Sequence, residues 1–430
     1  MRTQWISAAL RYSSVLFILL LFTSHAHASG FAIFTQGASA LGGGDASIAD
    51  PDGPSSLFFN PALINDLDGT RVEAGSTFII PARTFTSDVA GVSVDAKEAV
   101  FFPTTLFATH RYSEKMSAGL AVYTPFGLGT DWGDTWEGRY IATKSEMISF
   151  NVNPTLSYRV SPALTLAGGL NILSASAVLE KRLNIGKMPL TLGAPDGGQK
   201  LEGDGLGVGF NLGLLVQVGE DLSIGAAYRS AIDVTFEGDV THTDIPPVLS
   251  GAFPAATGFR TDITFPRQAH LGLSYRGVPD LTLSAAVRWE GWSTYDRLTV
   301  ESDLIIGGST TNVTTKNWDD VYALMVGGRY TLPGGLELSG GYFYGENPVP
   351  DETFESSIPD SDSHLVTLGT GFFIGKIKVD LAYGYQHFAK RRKNNTIDDG
   401  VEAAFDPLTS ANGEYETAFH LLAGSVTYAF

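Results

Sequence analysis

The sequence predicts an all-β membrane protein, an antiparallel transmembrane β-barrel of about 14 strands with an N-terminal hatch (plug) of short helices. Three observations predict it. Apolar and polar residues alternate with period two from about residue 70 almost to the last residue, the pattern of strands with two unlike faces. The apolar segments are joined by short turns and long polar stretches in turn, as strands are on the two sides of an outer membrane. Beyond the N-terminus no apolar run approaches the roughly 20 residues of a spanning helix, and mean hydropathy is only +0.07 with 49 glycines.

Residues 1–28 read as a signal peptide. Arg2 and Arg11 form a basic start, Val15 to Phe22 an unbroken apolar run, and Ala26-His27-Ala28 a cleavage signal. Cleavage there leaves Ser29-Gly30-Phe31 as the new N-terminus. An exported chain with no cysteine is no disulfide scaffold. The net charge of -18 excludes nucleic acid, whose phosphates need a basic face. Acids cluster between the apolar segments, as at Asp360 and Asp362 or Asp398 and Asp399, and read as solvated loops.

Residues 29–69 do not alternate. They hold Gly42-Gly43-Gly44, the turn-rich Asp50-Pro51-Asp52-Gly53-Pro54, and Phe58-Phe59-Asn60-Pro61-Ala62-Leu63. A barrel of about 14 strands has a lumen wider than its own side chains fill, so this stretch is placed inside as the hatch. In Asn60-Pro61-Ala62 the Asn caps a helix and the Pro takes its first position.

Residues 70–430 form the barrel. Strands are expected near 70–82, 98–111, 116–125, 139–160, 163–180, 205–218, 221–236, 261–276, 280–294, 317–331, 335–346, 362–374, 376–389 and 415–430. Six short turns, near residues 113–115, 160–162, 219–221, 277–279, 332–335 and 374–376, lie on the periplasmic side with both chain ends. In 221–236, Leu222, Ile224, Ala226, Tyr228, Ile232, Val234 and Phe236 share one face. In 281–290, Leu281, Leu283, Ala285, Val287 and Trp289 oppose Arg288 and Glu290. Tyr158, Tyr228 and Tyr275, each followed by Arg, are placed beside short turns as an aromatic belt. Gly203, Gly205, Gly207 and Gly209 are period-two strand glycines with no helix after them, so they are no phosphate loop. They leave inner space for hatch or ligand. The last strand ends on the aromatic Phe430, similar to the signal read by the outer-membrane assembly machinery. Outer-membrane lipid and lipopolysaccharide are the expected surroundings.

Gly30-Phe31, Ser47-Ile48-Ala49-Asp50 and Asn60-Pro61-Ala62-Leu63 resemble the hatch of the FadL/TodX family of long-chain fatty acid and hydrocarbon transporters. The resemblance continues in order through Pro125-Phe126-Gly127-Leu128, Trp136-Glu137-Gly138-Arg139-Tyr140, Asn151-Val152-Asn153-Pro154, Gly205-Leu206-Gly207, Asn211-Leu212-Gly213, Tyr228-Arg229-Ser230 and Trp289-Glu290-Gly291-Trp292-Ser293. It implies a barrel with a hatch, passive uptake of hydrophobic small molecules, capture near the extracellular loops, and an internal pocket. It also implies lateral exit beside a kink in the third strand, placed here at Pro125, Phe126 and Gly127. A Pro and a Gly there break pairing on physical grounds as well. The resemblance gives hatch or gating roles to Asn60, Pro61, Ala62 and Phe31. A fatty acid needs a cation for its head and an apolar slot for its tail; Arg139, Lys144, Arg159, Arg229 and Arg288 are the inward basic candidates. Long-chain fatty acids are the expected cargo, with aromatic or aliphatic hydrocarbons the alternative by the same route. No cofactor or metal is expected. No G-x-S-x-G or H-E-x-x-H occurs, which speaks against a barrel enzyme, and the hatch speaks against an open porin.

Overall fold

A computed structural model describes residues 30–306, 309–396 and 411–430. The expected signal peptide and the acids Asp398 and Asp399 lie outside the described residues. Fourteen strands close into an antiparallel barrel: β1 (Thr70–Ser87), β2 (Thr104–Arg111), β3 (Met116–Tyr123), β4 (Lys144–Ser161), β5 (Leu164–Leu183), β6 (Gly197–Val218), β7 (Leu222–Arg229), β8 (Gln268–Val278), β9 (Leu281–Glu290), β10 (Val321–Thr331), β11 (Glu337–Gly345), β12 (Ser363–Ile374), β13 (Ile377–Phe388) and β14 (Gly413–Ala429). The first and last strands seal it, in register from Arg71↔Ala429 to Ser87↔Gly413. Closure pairs the two edges that an open sheet would leave in lipid, where an unpaired backbone group has no water to bond.

Alternation sets the two faces. On β6, Leu206, Val208, Phe210 and Leu212 are exposed outside; on β9, Ala286, Arg288 and Glu290 are buried inside. The expected strands 221–236 and 261–276, however, each break in the middle. β7 stops at Arg229 and the chain resumes as Ile232–Thr243; Ala256–Phe265 precedes β8 in the same way. Ser230 and Ala231 in one break, and Pro266 and Arg267 in the other, lie outside the strands. Ser230 ties itself to Phe210 by both its amide and its hydroxyl. Past these breaks the faces exchange. Ile232, Val234 and Phe236, grouped by the sequence with Leu222, Ile224 and Ala226, are instead buried inside, while Asp233 and Glu237 are exposed. On these two segments apolar side chains point outward on one side of the break, and polar ones do on the other, where the apolar side chains turn in. Tyr228 is therefore not beside a short turn: it ends β7 at the opposite rim, whereas Tyr158 and Tyr275 sit near the turns as expected.

Residues 30–69 lie within the barrel as α1 (Ala38–Gly42), α2 (Ser56–Phe59) and a 3-10 helix over Pro61–Asp66. Leu41, Ile48, Leu57, Leu63 and Ile64 are fully buried. Glycines on the wall make this seat. A Cβ at Gly119 would strike Leu57, one at Gly213 would meet Ala62 N at 2.8 Å, and ones at Gly225, Gly327 and Gly341 would strike the backbone of Ile48 and Gly43–Gly44. Gly205 and Gly207 serve otherwise: the carbonyls of Thr235 and Asp233 cross them. These glycines admit the strand Ile232–Thr243, which steps inward, rather than the hatch.

Candidate functional site

β3 ends at Tyr123, and the chain pairs again only as Gly127–Asp131, with β4 alone. The ladder between β2 and β3 stops at Leu106↔Val122. Above it the wall stays unpaired until Lys97 N–H donates to Asp131 O at 2.7 Å. Pro125, Phe126 and Gly127 occupy the bend at one margin of this gap. Residues 100–103 form the other margin, held to β1 by the Ile79↔Phe101 bridge. The Phe101 ring leans across onto Gly129, where any Cβ would collide with it.

The chain's first described residues hold the bend from inside. Ile33 N–H donates to Pro125 O at 2.8 Å and Gly127 N–H to Phe31 O at 2.9 Å, an antiparallel bridge centred on Ala32↔Phe126. Gln36 adds a bond to Thr124 O at 2.6 Å. Phe31 itself is 4% exposed and enters a cage of rings: Trp292 at 4.6 Å, Trp318 at 5.6 Å, Phe265 at 6.0 Å, Tyr295 at 6.2 Å and Phe126 at 6.3 Å between centroids. Gly30 can only be glycine in this cage. It has φ +64°, and a Cβ would stand 3.0 Å from both Trp292 and Trp318.

Phe31 lines two cavities. One, of about 550 Å³, runs from Phe31, Ile33 and Phe34 past Phe101 to Phe102, Ile148 and Phe150, three side chains that are 64%, 44% and 51% exposed on the barrel's exterior. It thus opens through the gap in the wall. The other, of about 80 Å³, lies on the long-loop side among Leu179, Leu201, Phe236, Phe259 and Leu298, with the paired Lys316 and Glu355 at its edge. The larger volume falls in the range of ligand pockets, about 300–1,000 Å³.

None of the five expected basic residues lines either cavity. Arg139 pairs with Asp196 at 2.9 Å among the loops, and Lys144 with Glu146 at 2.6 Å. Arg159 pairs with hatch residue Asp66. Arg229 donates to Phe58 O at 2.8 Å and covers the Phe58 ring at 4.6 Å. Arg288 lies between Glu290, at 3.2 Å, and the Phe34 ring. Alternation placed Arg159, Arg229 and Arg288 inward correctly, but the hatch takes up inward charge before any ligand reaches it. The cation lining the large cavity is Arg83, near the outer end of β1. Its Nη1 donates to Gly129 O at 2.6 Å, its guanidinium sits 5.0 Å over Phe419, and its buried Nε has no hydrogen-bond partner among the described residues. The sequence reading ended the first strand at residue 82, one short of it.

Asp360 also lines this cavity and is 8% exposed, a correction to its reading as a solvated loop acid. Its Oδ2 accepts from Gly30 N–H at 2.9 Å and its Oδ1 from Ser361 N–H at 3.0 Å. Burial pushes its carboxyl up to about 7, against the opposing pull of the Gly30 N–H and Arg391.

Asn60 performs the capping that its sequence implies: Oδ1 accepts from Ala62 N–H at 3.1 Å, while Nδ2 donates to Ile48 O and to Leu214 O on β6. With Pro61 and Ala62 it ties the hatch to the wall well away from the gap. Farther along, Asp50 pairs with Arg276 at 2.8 Å and Arg329 at 2.6 Å, and Asp52 with Arg329 and with Lys378 at 3.1 Å.

Residues 19–430 match the family described as Outer membrane protein transport protein (OMPP1/FadL/TodX). The chain belongs to that family. A long-chain fatty acid transport protein of Escherichia coli O6:H1 is 25% identical over 88% of this chain and 91% of its own. Among solved structures, a Pseudomonas aeruginosa FadL homologue superposes with TM-score 0.80 at 20% identity, covering 94% of this chain and 100% of that one. The Pseudomonas putida toluene transporter TodX superposes with TM-score 0.71 at 17% identity, covering 93% and 99%. As a FadL/TodX-family member the chain is an outer-membrane transporter of hydrophobic compounds, not an enzyme.

Proposed function

We propose that this FadL/TodX-family chain takes up long-chain fatty acids passively, capturing them at the loop-side cavity and discharging them sideways through the gap beside the third strand. The observation that carries this reading is the continuity of one apolar cavity from the buried N-terminal strand to lipid-exposed Ile148 and Phe150. Phe31 separates the two cavities, so cargo passes only when the strand Phe31–Ile33 leaves the bend. Asn60, Pro61 and Ala62 act as the fixed root of the hatch, against which that end moves. A fatty acid is favoured over a hydrocarbon because a cation, Arg83, lines the largely apolar cavity. The toluene transport of the structurally similar TodX keeps aromatic hydrocarbons as the second cargo.

The test uses the absence of native cysteine. Ala32 and Phe126 form the pair between the two bridge hydrogen bonds, an antiparallel arrangement with Cα atoms about 4.5 Å apart, within disulfide reach. The double variant Ala32→Cys, Phe126→Cys is expected to stop oleate uptake when oxidised and regain it under dithiothreitol. Equal uptake in both states would remove the N-terminal strand from the route.

A further inference from the structure

Arg83 and Asp360 line the same cavity from opposite parts of the chain, β1 and the loop before β12. Each feels the other's charge, yet they form no ion pair among the described residues. Arg83 donates Nη1 to Gly129 O at 2.6 Å on the cavity's wall. Asp360 accepts the backbone N–H of Gly30, the residue just ahead of the strand that holds the bend. Arg83, the cation in the cavity's lining among the described residues, and the acid that holds Gly30 therefore border the same space a cargo would enter.

We propose that Arg83 and Asp360 form a head-group sensor: the carboxylate of an amphiphilic cargo binds Arg83, unsettles Asp360, and so releases Gly30, making displacement of the N-terminal strand specific to acids. This rests on the uptake reading above and deepens it. A carboxylate on Arg83 gains a charge-assisted hydrogen bond to the guanidinium and brings a second negative charge beside Asp360. Two carboxylates in a desolvated space do not both stay ionised in place. Asp360 either takes a proton from solvent, becoming a poorer acceptor for Gly30 N–H, or turns away; both loosen the tether. The other charged groups facing it are Arg391, whose Nη1 donates to Asp360 O at 3.1 Å, and Asp362 beside it on the loop. A hydrocarbon or an alcohol brings no charge and leaves the tether intact.

A single reporter cysteine, Ala32→Cys in the full chain purified in detergent, reads the strand's release as its rate of maleimide labelling. Laurate is expected to speed labelling about tenfold, the worth of one hydrogen bond to a charged group, and dodecanol to leave it within twofold. Adding Arg83→Gln abolishes the laurate response, Arg83→Lys keeps part of it, and Asp360→Ala labels fast without any ligand. Equal acceleration by laurate and dodecanol, or a laurate response surviving Arg83→Gln, overturns the sensor while leaving cargo entry intact. No acceleration by either ligand overturns the sensor and the cavity's part in uptake together.

Discussion

Gly30 and Phe31 sit where the fold spends its packing most tightly, one fitting only because it lacks a side chain and the other filling a cage of five rings. Phe31→Ala is expected to weaken docking of the N-terminal strand by about 3–5 kcal/mol, the usual cost of emptying a buried aromatic site. Faster proteolytic trimming of the N-terminus would show it; unchanged protection would mean the ring is not the partition between the cavities. Asp360 supplies a pH signature. Its folded carboxyl titrates at about 7 against an ordinary 3.8, so the folded state binds a proton more tightly than the unfolded chain. The stability this group contributes is full below 3.8 and is lost as pH rises through that window to about 7. Asp360→Asn is expected to flatten that part of the thermal midpoint against pH; an unaltered curve would assign the slope to other groups. Phe31 stood out in the sequence because it follows the expected cleavage site and sits in the family-like pair Gly30-Phe31. Arg83 and Asp360 were not: one lies past a misplaced strand end, and an acid in an acid-rich connection reads as solvated until a distant backbone amide is found against it.

At the scale of elements, period two revealed the fourteen barrel strands, though not the hairpin of Arg297–Ile306 and Ser309–Thr315, because a residue's face is a local property, fixed by the pleat. It did not reveal where the faces exchange, because parity continues unbroken through Ser230-Ala231 while direction in space does not. Only the ladder, with Asn211↔Arg229 on one side and Asp204↔Glu237 on the other, locates the break. At that break the outward face of this chain segment changes from apolar to polar. Leu212→Arg, on the exterior below it, is expected to cost about 2–4 kcal/mol of barrel stability, as a lipid-facing cation does. Thr235→Arg, on the exterior above it, is expected to cost under about 0.5 kcal/mol, as aqueous surface changes do. Denaturant titration in bilayers measures both, and equal penalties would place the lipid boundary elsewhere.

At the scale of the molecule, the two ends of the hatch are held by different means. Gly30 to Gln36 meets the bend through a handful of hydrogen bonds, whereas Asp50 and Asp52 are clasped by Arg276, Arg329 and Lys378 from three separate strands. Asp52→Asn takes one acid from Arg329, which keeps Asp50, and from Lys378, which keeps Glu337 and Asp380, and is expected to cost about 1.5–3 kcal/mol, the worth of a hydrogen bond to a charged group, lowering the temperature at which heating shifts the barrel's mobility in gel electrophoresis. A midpoint within a degree of the parent would show that the clasp carries no weight. The same geometry constrains the birth of the protein. The hatch rests on glycines of β3, β6, β7, β10 and β11, and Glu73 of β1 accepts from Ser55 N–H at 3.0 Å, yet the seam between β1 and β14 can form only once the final residues are made. The leading segment packs on walls that the last strand completes, so its docking is expected to precede or accompany sealing of the seam.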